Sequence, residues 1–119
     1  MLTPGACVNW DDLRSNCGED EDLVRELVQI FLSESPQMLE DIRKSWAAKD
    51  ATALKQTAHR LKGSLVSLAA NPAAQSANIL EQMGYEAKLE GAEQAMANLE
   101  REMSTLNAEL KRMAQADTA

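Results

Sequence analysis

Apolar residues in this chain recur at steps of three and four almost from end to end, the spacing of one face of an α-helix. From Asp22 onward, Val24, Leu27, Val28, Phe31, Met38, Leu39, Ile42 and Trp46 follow it with one longer gap. Leu54, Ala58, Leu61, Leu65 and Leu68 repeat it, then Ala73, Ala77, Leu80 and Met83, then Leu99, Met103, Leu106, Leu110 and Met113. No segment shows the period-two alternation of a half-buried strand. Aromatics make up only 3% of the chain, with 5 glycines and 3 prolines, where sheet proteins use more of both. The chain reads as all-α. Its 119 residues form one domain, long enough to bury one real core.

Capping residues divide the pattern. A short opening helix runs from about Asn9 to Cys17, with Asn9 as its cap and Trp10 and Leu13 as its apolar contacts. One long helix follows over about 20–49, its start favoured by the acidic run Glu19 to Asp22 and its middle bent by Pro36. Asp50 caps the next helix. Asn71-Pro72 ends that helix and starts another, with Asn71 as cap and Pro72 at the first position. This fourth helix ends around Gly84 to Lys88, and a last one starts near Leu89 with a heptad-like stripe. Short links make neighbours antiparallel. The expected architecture is an up-down-up-down four-helix bundle with a short extra N-terminal helix. Its core spans about 10–113, and residues 1–8 and 115–119 are loose ends. Cys7 is placed in the loose arm, and Cys17 in the core as a small hydrophobe.

Several functions are excluded. The net charge of −7 repels phosphate backbones and argues against nucleic acid. The stretch Gly63 to Leu80 is too polar to span a bilayer, and the N-terminus does not resemble a signal peptide. Two cysteines outside any C-x-x-C pair, with a single histidine, make neither a zinc site nor a disulfide framework. Reduced thiols in a cytoplasm are the simpler reading. A di-iron bundle needs Glu-x-x-His pairs, and Gln56 stands three residues before His59. No nucleotide loop or nucleophile elbow is present.

The informative segment surrounds His59. On a wheel of about 100° per residue, with Leu61 at zero, the buried stripe falls within roughly 60° and His59 about 160° away. The imidazole therefore projects into solvent and is available as a nucleophile. Lys55 and Lys62 lie on its side, one turn before and one turn after, a positive spot in an acidic chain. Gly63 follows His59 at i+4. A glycine inside a helix costs about 1 kcal/mol relative to alanine, and its missing side chain clears space beside the ring. Val66 is apolar yet points outward, and Gln56 and Ser67 face outward around it. Ser64 leans towards the core edge, where its small size serves helix packing.

His59-Arg60-Leu61-Lys62-Gly63-Ser64 resembles the H-x-x-K-G-[SA] signature of the histidine-containing phosphotransfer (HPt) domain. The likeness continues through Leu27 to Leu39, through Trp46 to Ala51 and through Leu80-Glu81, over roughly residues 10–113. One departure is Leu68-Ala69-Ala70, where the family often carries Leu-Gly. The resemblance implies a phosphorelay intermediate. His59 would accept a phosphoryl group from a receiver-domain aspartyl phosphate and pass it to another receiver aspartate. Lys62, and secondarily Lys55, would offset the added charge, with Gly63 and Ser64 in support and Gln56, Val66 and Ser67 at the docking face. It implies response-regulator receivers and a hybrid sensor histidine kinase as partners. It implies no cofactor on this domain, with Mg2+ brought by the receiver. A cytoplasmic monomer is expected, and Met1 and the compact length favour a free-standing protein. The alternative is a helical interaction module without phosphotransfer, which binds receivers or pairs through a coiled coil along Met103, Leu106, Leu110 and Met113. The fourth wall of a bundle core is the expected use of that stripe.

Overall fold

Five helices account for nearly all of the computed structural model, which describes residues 7–118, with side chains to Gln115. They are α1 (Trp10–Asn16), α2 (Glu21–Ala47), α3 (Ala51–Ser67), α4 (Asn71–Glu86) and α5 (Ala92–Thr118). Helices α2 to α5 close a ring of contacts, α2 with α3, α3 with α4, α4 with α5 and α5 with α2, while α1 rests on α2. This is the expected four-helix bundle with its short extra helix. None of the described helices is long and apolar enough to cross a membrane.

The apolar stripes meet inside the ring. Leu54, Ala58, Leu61, Leu65 and Leu68 are all buried, as are Leu99, Met103, Leu106 and Leu110. Each fully buried leucine contributes about 2 kcal/mol through removal from water. The α5 stripe is thus the fourth wall of this core, and its central residues are not free to form a seam with a second chain. Pro36 stands inside a continuous α2. A mid-helix proline costs about 3 kcal/mol. Burial of Phe31, Met38 and Ile42 on both sides of it outweighs that cost.

The caps explain the boundaries. Asn9 Oδ1 accepts the amide of Asp12, Asp20 accepts those of Asp22 and Leu23, and Asp50 accepts that of Ala53. Three helices end in the same way, with a residue in the left-handed region and a reverse pair of backbone bonds. These residues are Lys49, Ala69 and Ala87, with φ of 56°, 57° and 56°. Ala69 thus takes the conformation for which glycine is preferred. Its carbonyl accepts the amide of Asn9 at 2.9 Å, which pins the start of α1 to the turn between α3 and α4.

Several expectations are corrected. Asn71 is the first helical residue rather than the cap. Ala70 takes the cap position without a side-chain bond, because the left-handed turn at Ala69 displaces the boundary by one residue. Helix α5 starts at Ala92, since Gly91 has φ of 85° and cannot be helical. Residues 115–118, expected to fray, continue α5. Residues 7 and 8 are not loose: Val8 is buried and Cys7 packs against the core. Burial, then the charge of Glu109, pushes the Cys7 thiol above its ordinary range. The arm over residues 1–6 lies outside the described residues, as does Ala119.

Gly84 is an interior residue of α4 and not its end. A Cβ there would lie 2.5 Å from the Lys55 amide nitrogen and 2.7 Å from the Ala51 carbonyl oxygen. Glycine is required because the two backbones touch. Gly63 differs: a Cβ there would meet nothing within 4 Å. Gly84→Ala should therefore lower stability by about 2 kcal/mol or more, and Gly63→Ala should raise it by up to about 1 kcal/mol. Urea midpoints of the two variants check both signs.

Candidate functional site

Helix α3 presents its outward face between α2 on one side and α4 on the other. Thr57 and Ser64 turn towards α2: Thr57 Oγ1 lies 3.3 Å from Ser45 Oγ, and Ser64 Oγ donates weakly to Met38 Sδ at 3.9 Å. Lys62 turns towards α4. His59 stands between these directions, with 68% of its side chain exposed. The wheel placed it there because the buried stripe occupies the opposite arc.

The ring is not free to turn. Glu81 of α4 reaches across to it, with Oε2 2.9 Å from His59 Nδ1. The other carboxylate oxygen, Oε1, lies 2.7 Å from Lys62 Nζ in an ion pair. Lys62 Nζ also donates to Asn78 Oδ1 at 3.3 Å. Burial alone would raise the Glu81 carboxyl, but Lys62 and then His59 overcome that and hold it below its ordinary value of 4.5. Glu81 is thus a carboxylate at neutral pH and can only accept. The neutral ring therefore carries its proton on Nδ1, donated to Glu81. The lone pair of Nε2 faces solvent. An imidazole oriented in this way by a carboxylate is a positioned nucleophile.

The structure brings His59, Lys62 and Glu81 into direct contact, and the other expected members make contacts of their own. Lys62 does not stand free beside His59; Glu81 and Asn78 engage it. Lys55 lies over the Tyr85 ring, 5.7 Å from its centroid. Gln56 and Val66 are exposed, Val66 by 56%. Ser67 is exposed, and its hydroxyl donates to the Gly63 carbonyl at 3.1 Å. Ser64 sits at the core edge. A small groove between α2 and α3, lined by Ile30, Phe31, Met38, Ser64 and Ser67, opens beside this face. In the sequence Glu81 stands only within the Leu80-Glu81 likeness, with no role of its own, and nothing there marks Ile30 or Tyr85. The available signal for Glu81 was one charged residue directly after the buried Leu80.

A helical bundle that holds up one oriented, solvent-facing imidazole has the form of a phosphocarrier. The comparisons give the family: the model of the Hpt domain matches residues 26–116, and the chain belongs to that family. Two solved structures share the fold. One is histidine-containing phosphotransfer protein B (HptB) from Pseudomonas aeruginosa PAO1, at 26% identity and a TM-score of 0.86, covering 92% of this chain and 96% of that one. The other is the HPT domain of a sensor hybrid histidine kinase from Shewanella, at 18% identity and a TM-score of 0.84, covering 95% and 97%. No curated protein matches the chain. The chain is a phosphorelay intermediate of the histidine phosphotransfer class.

Two outcomes follow from Glu81. Nitrogen NMR of the neutral His59 ring should show the Nδ1–H tautomer in the wild type, and Glu81→Ala should move the population towards Nε2–H. The folded state lowers the Glu81 value, so the stability it contributes is complete above 4.5 and is lost as pH falls through the lowered value. An acid titration of the melting temperature should therefore fall less steeply in Glu81→Ala than in the wild type.

Proposed function

We propose that His59 is the phosphoacceptor, which takes a phosphoryl group from the aspartyl phosphate of one receiver domain and passes it to the aspartate of another. What supports this reading is the single arrangement around the ring: Nδ1 is tied to Glu81 while Nε2 faces solvent. Nε2 attacks phosphorus in line, and the Nδ1 proton stays on the carboxylate side. Glu81 stabilises the positive charge that develops on the ring, as a buried aspartate does for a catalytic histidine. Lys62 neutralises Glu81 and fixes its position, so it manages charge at the site through that residue.

The domain presents a nucleophile and little else. The receiver supplies Mg2+ and most of the transition-state stabilisation, and this domain binds no cofactor of its own. Gly63 serves the partner. No atom of this chain fills the space its Cβ would take, so the helix carries a glycine at a cost of about 1 kcal/mol without any internal need. Val66, rimmed by Gln56 and Ser67, forms the docking face, and Ile30 extends it onto α2. We take the chain to work as a monomer in the cytoplasm, with response-regulator receivers and a hybrid sensor histidine kinase as partners.

Phosphoryl transfer tests this. A labelled receiver domain should pass its phosphoryl group to the wild type, as an acid-labile and base-stable adduct, and not to His59→Gln. Equal labelling of both proteins would overturn the assignment. Gly63→Gln should keep the fold and slow transfer at least about tenfold, an effect of more than 1.4 kcal/mol on the barrier.

A further inference from the structure

The charge beside His59 is balanced before any phosphoryl group arrives. Glu81 is the carboxylate on the ring, and Lys62 stands 2.7 Å from it, so the two offset each other. Transfer changes this. The Nε2 lone pair forms an N–P bond as the P–O bond to the receiver aspartate breaks, and the electron pair of that bond remains on the aspartate carboxylate. With the proton retained on Nδ1, the ring becomes cationic and Glu81 faces it. The phosphoryl oxygens then hold up to two negative charges. Lys62, already committed to Glu81 and Asn78, is poorly placed to meet them.

Lys55 is the cation in position. It precedes His59 by four residues, so the two side chains share a face of α3. Arg60 is also exposed, but adjacent residues on a helix do not face each other. Among the described residues the Lys55 ammonium enters no ion pair; its contact is with the ring of Tyr85. Tyr85 is 71% exposed, more than any other large apolar side chain described. Burial does not explain a ring in so much water. Tyr85 follows Glu81 by four residues, one turn along the same face of α4. Helix α4 therefore lays two groups against the outward edge of α3: Glu81 holds His59, and Tyr85 holds Lys55. The backbone contact at Gly84 keeps the second pair in register, because it falls on Lys55 itself.

We propose that Lys55 is the cation that compensates the phosphoryl group on His59, and that Tyr85 is a positioning residue that holds Lys55 beside the site. The proposal rests on His59 as the phosphoacceptor. A free lysine loses much rotamer freedom when it is ordered on an anion. The ring contact holds the ammonium over the Tyr85 face in advance, where no carboxylate among the described residues pairs with it.

The measurement is the equilibrium of phosphoryl between this protein and a receiver domain phosphorylated with acetyl phosphate, at low salt and at concentrations where the complex is dilute. Docking contacts change both directions of transfer alike and leave this ratio fixed, whereas a charge that favours phosphohistidine moves it. Lys55→Gln should shift the ratio towards the receiver by about three- to tenfold, the range of a charge-assisted contact near the surface. Tyr85→Leu should shift it the same way by less, Tyr85→Phe and Lys55→Arg should leave it near the wild-type value, and the shift should shrink in high salt. Lys55→Gln combined with Tyr85→Leu should go no further than Lys55→Gln alone. An unmoved ratio in Lys55→Gln overturns the proposal while His59 labelling stands. Additive shifts in the double variant, or a full loss in Tyr85→Phe, remove Tyr85 from the positioning role. Failure to label His59 in the wild type would instead bring down the phosphoacceptor reading beneath it. Melting temperatures of the unphosphorylated variants separate each effect from a loss of fold.

Discussion

The contact between α3 and α4 at Gly84 sets the geometry on which the site depends. Two helix backbones can touch only where one of them carries no side chain, and at Gly84 a single added carbon would fall 2.5 Å from the Lys55 nitrogen. That closeness brings α4 within a side chain's reach of the outward edge of α3. Glu81, three residues before the glycine, spans the gap to His59 and Lys62. A wider helix pair would leave the imidazole to rotate in water. The imidazole on one helix is thus oriented from another, and packing density supplies the precision.

The charges around the ring follow from partial burial. Glu81 keeps 15% of its side chain exposed, so removing it from water would raise its carboxyl. Lys62 reverses that tendency, because an ion pair shielded from solvent is stronger than one in bulk water. The consequence is an acceptor that stays charged at neutral pH and fixes the tautomer of an exposed histidine. The surroundings of His59 are built to orient it, and the core that supports them lies on the far side of α3, in Leu54, Ala58, Leu61 and Leu65. The two glycines of the region divide along the same line. Gly84 answers to the chain's own packing, whereas a Cβ at Gly63 would meet nothing within 4 Å.

Much of this was legible in the residues. The three-and-four spacing of leucine, valine and methionine dictated helices, because burial of an apolar stripe is the largest favourable term available to such a chain. The same spacing turned His59 outward, and the run from His59 to Ser64 carried the family resemblance that the family model and the fold bear out. The boundary errors at the ends of α2 and α3 have one cause. At Ala69 and Lys49 the chain closes its helices with left-handed residues other than glycine, and no local signal marks them.

What the sequence alone determined was the periodicity, the number of long helices and the side of α3 on which the histidine stands, all of which are properties of one segment at a time. Only the tertiary structure decided that Gly84 is a contact rather than an end, that Glu81 bridges His59 and Lys62, and that Lys55 rests on Tyr85. Each of these joins residues of α3 and α4 that lie 19 to 33 positions apart in the chain, and depends on the rotation of α4 about its own axis. That rotation is set by how the buried stripes of α3, α4 and α5 interlock, and it has no counterpart in the spacing of any single helix.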